Sequence, residues 1–475
     1  MNATDDARTS LAEHEAHVLV RRFGAGETTP SEALATALAI IGAHDDSVHA
    51  MVLTDAGSAQ RAAAAADERW AAGRPAGPLD GVPMTIKDML LTRGWPTRKG
   101  STLIGANGPW EEDAPAVARL RDAGAVFLGK NTTPEFAWKG VTDSLLEGST
   151  GNPWGAGLTS GGSSGGAATA VGLGMGSVSV GTDGGGSVRI PASFTGTVAL
   201  KPTFGLIPIY PPSAYGTLSH AGPMTRSVTD AALLMDVITG GDPRDWFAMP
   251  TPSGSYLDGL DEGIEGLRVA FSPTLGGLGE NDPEVEAAVR AAVDVLAGLG
   301  ARVEEVDPEL PDGTDAFHLL WFTGASKVLE GFGPGALDRV DPLLAENVRR
   351  HAETSASSYL DATTMRMDMG VVMGRFHEMY DVLVTPTMPI AAFPRGQNSP
   401  DGWPFPLWTS WTPYTYPFNM TMQPALTVPC GFTSDERPVG LQIVGPRHAD
   451  RLVLRAGRAY EAATPWHEAV PTLLR

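Results

Sequence analysis

Hydrophobic and polar positions follow a helical period in the first 75 residues of the chain. Residues 29–32 (TPSE) have the form of a capping box with proline at the first helical position, ahead of an apolar run to residue 41. The alanine-rich residues 56–73 predict a second helix. We therefore expect residues 1–75 to form an N-terminal helical segment that packs on the core.

From residue 81 the pattern changes to short apolar runs that alternate with helical stretches. The runs that predict strands are residues 82–86, 125–128, 178–181, 198–200, 267–271, 302–306, 382–385, 425–428 and 441–444. The stretches that predict helices are residues 114–123, 165–175, 228–239 and 283–299. This alternation indicates an α/β layered fold with a mostly buried, mixed sheet. No repeat or linker divides residues 76–475, so we expect a single domain with excursions near residues 240–265 and 310–415.

The composition fits a large folded core and narrows the range of partners. At 475 residues and 42% hydrophobic, the chain is long and apolar enough to bury a sizeable core. A balance of 34 basic against 55 acidic residues gives a net charge of -21, which disfavours binding to nucleic acid or to anionic membranes. No stretch approaches ~18 consecutive apolar residues, so we expect no membrane-spanning helix.

The first ten residues and the single cysteine bear on the location of the protein. Residues 1–10 (MNATDDARTS) are acidic and polar where a signal peptide is basic and then apolar, which does not indicate export. Cys430 cannot form an intrachain disulfide, and between Pro429 and Gly431 we expect it to be a buried bystander. Both observations predict a cytoplasmic protein.

Two glycine-rich segments carry serines that are candidates for catalysis. They are residues 159–166 (TSGGSSGG) and 182–189 (TDGGGSVR), and an Ile-Lys-Asp sequence lies upstream at residues 86–88. The three glycines directly before Ser187 direct a row of backbone N–H groups at one point, which is the geometry that stabilises an oxyanion beside a nucleophile. Lys87 follows an apolar strand, where desolvation can lower its pKa from ~10.4 towards ~7 and make it a base. The pattern predicts hydrolysis by a serine whose base is a lysine.

Another serine arrangement competes with this interpretation. Ser163 and Ser164 each lie in a G-x-S-x-G match, at residues 161–165 and 162–166, and either could be the nucleophile of an α/β-hydrolase-type esterase. That nucleophile must follow a strand, whereas residues 151–159 are rich in glycine, proline and asparagine, so the context disfavours it. The chain has 10 histidines, so a histidine base is available and the alternative stays open.

Eight segments, taken together and in this order, resemble the amidase signature family over nearly the whole chain. Four are residues 81–88 (GVPMTIKD), 129–141 (GKNTTPEFAWKGV), 160–166 (SGGSSGG) and 181–192 (GTDGGGSVRIPA). The others are residues 199–205 (ALKPTFG), 222–229 (GPMTRSVT), 416–424 (YPFNMTMQP) and 440–445 (GLQIVG). The resemblance implies a three-layer α/β/α fold of the amidase-signature type with a large mixed central sheet.

The resemblance also implies roles for residues of the two serine segments. The family's acyl-forming serine corresponds to Ser187, its base to Lys87, and its proton-relaying serine to Ser163, which follows a non-proline cis peptide. The oxyanion hole falls on the backbone N–H groups of Gly184, Gly185, Gly186 and Ser187, and the supporting residues are Thr182, Asp183 and Arg189. The implied reaction is cleavage of an amide C–N bond through an acyl-serine that water then hydrolyses, without a metal or cofactor.

An aromatic-rich segment offers a candidate wall for the substrate. Seven of the sixteen residues from 403 to 418 are aromatic, against 7% for the chain. Either the segment packs the core, or it lines a pocket for a bulky or aromatic amide, ester or carbamate. In the second case we expect the pocket to contain Trp138, Trp321, Trp408, Trp411 and Tyr414.

The expected partner is a small-molecule substrate of the amide type, bound by an enzyme that forms a homodimer. An alternative is the glutaminase-like subunit of a tRNA-dependent amidotransferase, which shares the signature and hands ammonia to a partner chain. The net charge of -21 and the aromatic segment disfavour that alternative. Neither nucleic acid nor a membrane is an expected partner.

Overall fold

In the computed structural model of the chain, residues 10–475 are described, and the first nine residues of the expected N-terminal segment lie outside the described residues. The helices, numbered in chain order, are α1 (Ala16–Ala25), α2 (Pro30–Val48), α3 (Ala56–Ala71), α4 (Pro115–Asp122), α5 (Gly165–Leu173), α6 (Arg189–Thr195), α7 (Val228–Ile238), α8 (Pro283–Gly298), α9 (Thr314–Glu330), α10 (Pro342–Arg350), α11 (Ala356–Met379), α12 (Pro417–Met420) and α13 (Asp450–Ala462). The strands are β1 (Met51–Thr54), β2 (Pro83–Lys87), β3 (Val126–Asn131), β4 (Asp143–Ser144), β5 (Gly148–Ser149), β6 (Gly151–Asn152), β7 (Gly155–Thr159), β8 (Val178–Asp183), β9 (Val198–Lys201), β10 (His220–Thr225), β11 (Arg268–Phe271), β12 (Arg302–Glu305), β13 (Val382–Pro386), β14 (Ala425–Phe432) and β15 (Pro438–Val444).

One large sheet organises the molecule, with its strands in the order β1-β3-β2-β8-β10-β9-β14-β15-β13-β11-β12. β2 runs parallel to β3 and β8, and β11 runs parallel to β12 and β13, whereas the remaining neighbours are antiparallel. β4 with β5, and β6 with β7, make two separate two-stranded sheets. The large mixed sheet is therefore confirmed.

Helices cover both faces of this sheet, which gives the three-layer architecture. Successive side chains of a strand point to opposite faces. Along β3, Phe127 joins one core cluster, while Val126 and Leu128 join another. The first cluster also contains residues of α1, α4, α7, α8 and α13, and the second contains residues of α2, α3 and α5.

Two of the three regions that the sequence sets apart from the core each contribute a strand to the sheet. β1 lies within the expected N-terminal helical segment and pairs with β3 at the sheet edge. β13 lies within the expected excursion at residues 310–415 and pairs with β11 and β15 inside the sheet. The N-terminal segment is therefore not helical throughout, and the division at residue 75 stays a prediction.

β10 is a central strand that the hydrophobic pattern does not predict. It contains Gly222 and Pro223, and both residues are unfavourable in a strand interior, because glycine has no side chain to pack and proline has no N–H to donate. In the sheet β10 lies between β8 and β9, with Pro223 opposite Val180. A Cβ atom on Gly222 would overlap the carbonyl oxygen of Leu200 on β9. Close approach between neighbouring strands, not strand propensity, therefore fixes this position.

The local signals at α2 and at the cysteine are confirmed. Thr29 Oγ1 accepts a hydrogen bond from the Glu32 backbone N–H at 3.2 Å, and the Glu32 carboxylate accepts one from the Thr29 N–H at 3.0 Å. These two bonds form the reciprocal capping box. Cys430 is buried and unpaired, and burial raises the pKa of its thiol.

Two glycine-to-alanine variants test how tightly β10 is packed. We expect Gly222→Ala to lower the free energy of unfolding by about 1–3 kcal/mol, because the methyl group forces β9 and β10 apart. The control is Gly374→Ala on α11, where a Cβ meets no atom within 4 Å. It should raise the stability by about 0.5–1 kcal/mol, since alanine is the better helix former. Urea titration measures both, and equal effects of the same sign would contradict the packing described here.

Candidate active site

The amine of Lys87 is enclosed at the carboxyl end of β2. Its side chain is fully buried, and Nζ lies 2.7 Å from Ser163 Oγ, 2.8 Å from Ser164 Oγ and 2.8 Å from Thr182 Oγ1. Burial lowers the pKa of Lys87 well below its ordinary value, and the charge of Asp183 opposes this only in part. Because a hydroxyl can either donate or accept, the three hydroxyls satisfy a neutral amine as well as a charged one.

Ser163 and Ser164 lie in the irregular segment between β7 and α5, but they have different contacts. The peptide bond before Ser163 is cis, as the family resemblance implies. Ser164 donates its backbone N–H to the Ser187 carbonyl at 3.1 Å and its hydroxyl to the Thr182 carbonyl at 3.1 Å. Ser164 therefore ties the two serine loops together, a role that the sequence does not reveal.

The contacts of Ser163 and Ser164 weigh against the α/β-hydrolase alternative. Their side chains meet Lys87, and within residues 10–475 no histidine side chain is hydrogen-bonded to either serine. A strand, β7, does precede these serines, although the composition of residues 151–159 disfavours one. β7 pairs with β6 in a two-stranded sheet separate from the large one, so it is not the central strand that such a nucleophile follows.

The glycine loop before Ser187 is packed tightly from behind. A Cβ on Gly184 would lie 2.6 Å from the Trp321 ring, and one on Gly185 would lie 2.5 Å from the Trp408 ring. Gly186 has φ of 129°, a conformation that favours glycine, and a Cβ there would meet Thr415. The loop therefore accepts no other residue at these three positions without moving its neighbours.

The backbone N–H groups of this loop differ from the expected oxyanion set in one position. Gly186 donates its N–H to Asp183 Oδ1 at 2.8 Å, so this group is occupied. In the described part of the chain, the N–H groups of Gly184, Gly185 and Ser187 have no hydrogen-bond partner. Of the four expected donors, Gly186 is therefore already occupied, and the other three remain candidates for binding an oxyanion.

Asp183 and Arg189, two of the expected supporting residues, form a buried ion pair. Arg189 Nε donates to Asp183 Oδ2 and Nη2 donates to Oδ1, both at 3.0 Å, and both side chains are fully buried. Asn419 donates to Asp183 Oδ1 at 2.9 Å, and Arg189 also donates to Gln442 Oε1 at 2.8 Å. Burial by itself raises the pKa of Asp183, but Arg189 outweighs it and holds that pKa below its usual range.

A cavity of about 180 Å³ opens beside Ser163 and Ser187. Its apolar walls come from Leu90, Phe136, Ile209, Tyr215, Trp321 and Val328. Of the five aromatic residues expected to form the pocket, Trp321 lines this cavity, and Trp138, Trp408, Trp411 and Tyr414 do not. The expected aromatic pocket is therefore largely wrong.

The aromatic segment supports the site from behind instead of lining it. Trp408 packs against Gly185, and Thr415 donates its hydroxyl to the Gly185 carbonyl at 2.7 Å. Trp138 offers its carbonyl oxygen to the Trp321 indole N–H at 3.0 Å. The core-packing alternative for residues 403–418 is thus the one the contacts favour.

Three polar groups that the sequence analysis does not single out also line the cavity: those of Lys99, Tyr215 and His220. His220 Nδ1 lies 2.8 Å from the Leu218 carbonyl oxygen, so Nδ1 carries the proton and Nε2 is an acceptor without a partner. Burial lowers the pKa of His220 well below its usual value, which keeps the imidazole neutral. The hydroxyl of Tyr215 is likewise buried and unpartnered.

A second group of ligand-type side chains lies away from the cavity, where α1 meets α7. Ligand atoms of Glu15, His17 and Asp230 lie within 4.8 Å of one another. Asp230 accepts hydrogen bonds from the backbone N–H groups of Ala16 at 2.8 Å and His17 at 2.9 Å, and His17 Nδ1 lies 2.8 Å from it. The Asp230 carboxylate therefore accepts hydrogen bonds from backbone N–H groups in the first turn of α1 that have no partner within the helix, which is a structural role.

A mixed eleven-stranded sheet with a lysine enclosed by two serine loops defines a hydrolase of the amidase signature class. The chain belongs to the amidase family, whose sequence profile matches residues 32–454. It is accordingly a hydrolase of carbon–nitrogen bonds other than peptide bonds, and the family resemblance seen in the sequence is confirmed.

Individual relatives cover almost the whole chain. An acylamidase of Rhodococcus erythropolis is 39% identical over 457 residues, which are 93% of this chain and 94% of the relative. A glutamyl-tRNA(Gln) amidotransferase subunit of Chloroflexus aggregans is 37% identical over 482 residues, 95% of this chain and 97% of the relative. The crystal structure of a bacterial aryl acylamidase has a TM-score of 0.89 at 28% identity and covers 96% of this chain and 98% of its own.

The structure of 6-aminohexanoate cyclic dimer hydrolase with substrate is also similar. It has a TM-score of 0.87 at 30% identity, with 97% of this chain and 99% of that chain covered. These comparisons agree on the fold, whereas the names of the relatives differ in substrate and in reaction.

Within residues 10–475, no helix combines the length and hydropathy needed to cross a bilayer.

The buried ion pair behind the glycine loop generates a stability prediction. We expect Asp183→Asn to lower the free energy of unfolding by about 3–5 kcal/mol, because the buried Arg189 guanidinium loses its carboxylate. In the folded protein the pKa of the Asp183 carboxyl is lowered from its ordinary value of ~3.9. The ion pair therefore stabilises the fold fully at any pH above ~3.9, and this stabilisation is lost only as the pH falls below that value.

Denaturant titrations between pH 5 and 8 test this expectation. The loss of stability caused by Asp183→Asn should be constant over that pH range. The matched control is Asp435→Asn in the exposed pair with Arg437, whose side chains are 58% and 30% exposed. That variant should change the stability by less than ~1 kcal/mol. A loss for Asp183→Asn no larger than that of the control would contradict the assigned role.

Proposed function

We propose that the chain hydrolyses small acyl or aryl amides through an acyl-Ser187 intermediate, with Ser163 as the proton relay and Lys87 as the base. One observation carries the proposal. Lys87 Nζ lies within 2.8 Å of three hydroxyls, including Ser163, in surroundings that lower its pKa. Ser163 and Ser187 line the same cavity.

In the proposed cycle, neutral Lys87 takes the proton of Ser163 as Ser163 takes the proton of Ser187, whose Oγ attacks the amide carbonyl carbon. The N–H groups of Gly184, Gly185 and Ser187 are the donors for the resulting oxyanion. The proton then returns through Ser163 to the leaving nitrogen as the C–N bond breaks. Water, deprotonated along the same route, attacks the acyl ester and releases the carboxylic acid.

This cycle requires a contact that the free enzyme lacks. In the described part of the chain, Ser187 Oγ has no hydrogen bond, and none joins it to Ser163 Oγ. Catalytic hydrogen bonds in free enzymes are often long and tighten only in the substrate complex. We therefore infer that the hydrogen bond between Ser187 and Ser163 forms when the substrate binds.

The cavity and the relatives support a compact amide as the substrate. The volume of about 180 Å³ lies below the ~300–1,000 Å³ of sites for drug-sized ligands, and its walls are mainly apolar. An acylamidase and an aryl acylamidase are among the proteins that resemble this chain. Esters and carbamates present the same carbonyl group, so they belong to the panel of substrates that tests the proposal.

The amidotransferase relatives favour a second candidate function. Glutamyl-tRNA(Gln) amidotransferase subunits match 95% of the chain at up to 37% identity, which supports a glutaminase-like subunit that works in a complex. Hydrolysis of anilides by the purified chain alone would exclude this candidate, whereas glutamine hydrolysis only with a partner would establish it. The homodimer and the cytoplasmic location stay predictions.

The first activity prediction concerns the serines and the lysine. We expect Ser187→Ala to reduce kcat/KM for an anilide by at least ~10³-fold, and Lys87→Ala or Ser163→Ala by about 10²–10⁴-fold. Exposed Ser434→Ala and Lys327→Ala serve as matched controls and should retain activity. Mass spectrometry should find the acyl group on the peptide that contains Ser187. Full activity of Ser187→Ala would refute the assignment and would favour the esterase alternative with Ser163 or Ser164.

The second activity prediction concerns pH. Because the lowered pKa of Lys87 makes the amine lose its proton at lower pH, kcat/KM should rise with pH and reach its plateau below the ordinary lysine value of ~10.4. Lys87→Arg keeps a positive charge at every accessible pH, so it should remain inactive throughout. An active Lys87→Arg enzyme, or a wild-type profile that falls over the same range, would contradict a neutral Lys87 base.

A further inference from the structure

Lys99 differs from the other lysines in that its side chain has neither a hydrogen bond nor an ion pair among the described residues. Six lysines are present, and exposed Lys327 pairs with Glu330. The buried lysines each have polar partners: Lys87 has the three hydroxyls, Lys130 has Asp88, Lys139 has Asp341, and Lys201 has the carbonyl oxygens of Pro202 and Gln423. Lys99 has neither a hydrogen bond nor an ion pair from its side chain within residues 10–475.

The backbone holds Lys99 in a fixed position at the cavity. Its N–H donates to the Asp88 carbonyl at 3.1 Å, and its own carbonyl accepts the Phe136 N–H at 2.8 Å. Its φ is 53°, a left-handed conformation that is uncommon for a residue with a side chain. Phe136 and Ala137, on the opposing segment, have φ of 49° and 58° and line the same cavity. Such departures cluster at ligand sites, where surrounding structure maintains them.

No acidic group in this cavity is free to neutralise Lys99. Asp88, the carboxylate that acts on it electrostatically, lies 2.9 Å from Lys130, and Asp183 is paired with Arg189. Lys99 is half-buried, and burial lowers the pKa of its amine more than the charge of Asp88 raises it. Desolvated charges in proteins are normally paired, so the missing partner points to a ligand.

We propose that Lys99 binds a carboxylate of the substrate, so that the preferred substrates are small amides that carry a carboxylate group. This inference rests on the proposed amide hydrolysis at Ser187. Tyr215 and His220 line the same cavity, and in the described part of the chain the Tyr215 hydroxyl and His220 Nε2 are buried without a hydrogen-bond partner.

Matched substrates test this proposal on the purified full-length chain. The neutral reference is butyranilide. One anionic substrate carries the carboxylate on the acyl side (N-phenylsuccinamic acid), and another carries it on the amine side (4-butyramidobenzoic acid). The corresponding primary carboxamides replace each carboxylate by a neutral group of similar size. Comparing the two carboxylates shows on which side of the scissile bond the carboxylate is recognised. Comparing each carboxylate with its carboxamide distinguishes recognition of negative charge from recognition of a neutral oxygen acceptor.

We expect the wild type to prefer one carboxylate substrate over its carboxamide by at least about tenfold in kcat/KM, as a hydrogen bond to a charged group gives. Lys99→Met should abolish this preference mainly through KM, and Lys99→Glu should reverse it. Lys327→Met is the matched control and should leave the preference unchanged. If Lys99→Met does not fold, the wild-type preference and Lys99→Gln still decide the proposal.

Three results would overturn the proposal. One is a wild-type enzyme that cleaves butyranilide or the carboxamides as well as both carboxylates. Another is a carboxylate preference that survives in Lys99→Met. The third is a lack of hydrolysis of every substrate in the panel, which would refute the proposed amidase function itself and not the assignment of Lys99 alone.

Discussion

The desolvation of the Lys87 amine is the constraint on which the rest of the site depends. A lysine exposed to water at the same place would hold its proton and could not serve as the base of the proposed cycle. The strand order supplies the enclosure, because β2 lies between β3 and β8 in the interior of the sheet. The parallel pairing of β2 with β8 also brings Thr182, near the end of β8, to 2.8 Å from Lys87 Nζ.

Directly beside this buried amine, the fold keeps a full ion pair. Asp183 and Arg189 are as deeply buried as Lys87, yet each charge has several hydrogen-bond partners, and the Gly186 N–H is one of those partners. The ion pair therefore determines which loop amides stay free. Residues of the aromatic segment complete the support, since Trp408 and Thr415 close the back of the glycine loop. Catalytic geometry here depends on residues far away in sequence.

The sequence predicts most of the sheet and the centre of the site, because both leave local signals. Apolar runs mark nine of the strands, the two glycine–serine segments mark Ser163 and Ser187, and the Ile-Lys-Asp sequence marks Lys87. β10 could not be predicted in this way, because Gly222 and Pro223 are tolerated in a central strand only through contacts with β8 and β9. The residues that line the pocket could not be predicted from local signals either. Whether a tryptophan lines the cavity or supports a loop depends on tertiary packing, so Trp321 and Trp408 are indistinguishable in sequence.

The distribution of cations provides a further argument about how the site works. Of 34 basic residues, six are lysines, which leaves 28 arginines, and five of the six lysines lie in the interior or at the cavity. Arginine stays charged in proteins, whereas the charge of a lysine responds to its surroundings. Lys130 and Lys139 have carboxylates and Lys87 has hydroxyls, so each environment suits a different state of the amine. Lys99 has no such group of its own, and the proposed substrate carboxylate would complete its surroundings.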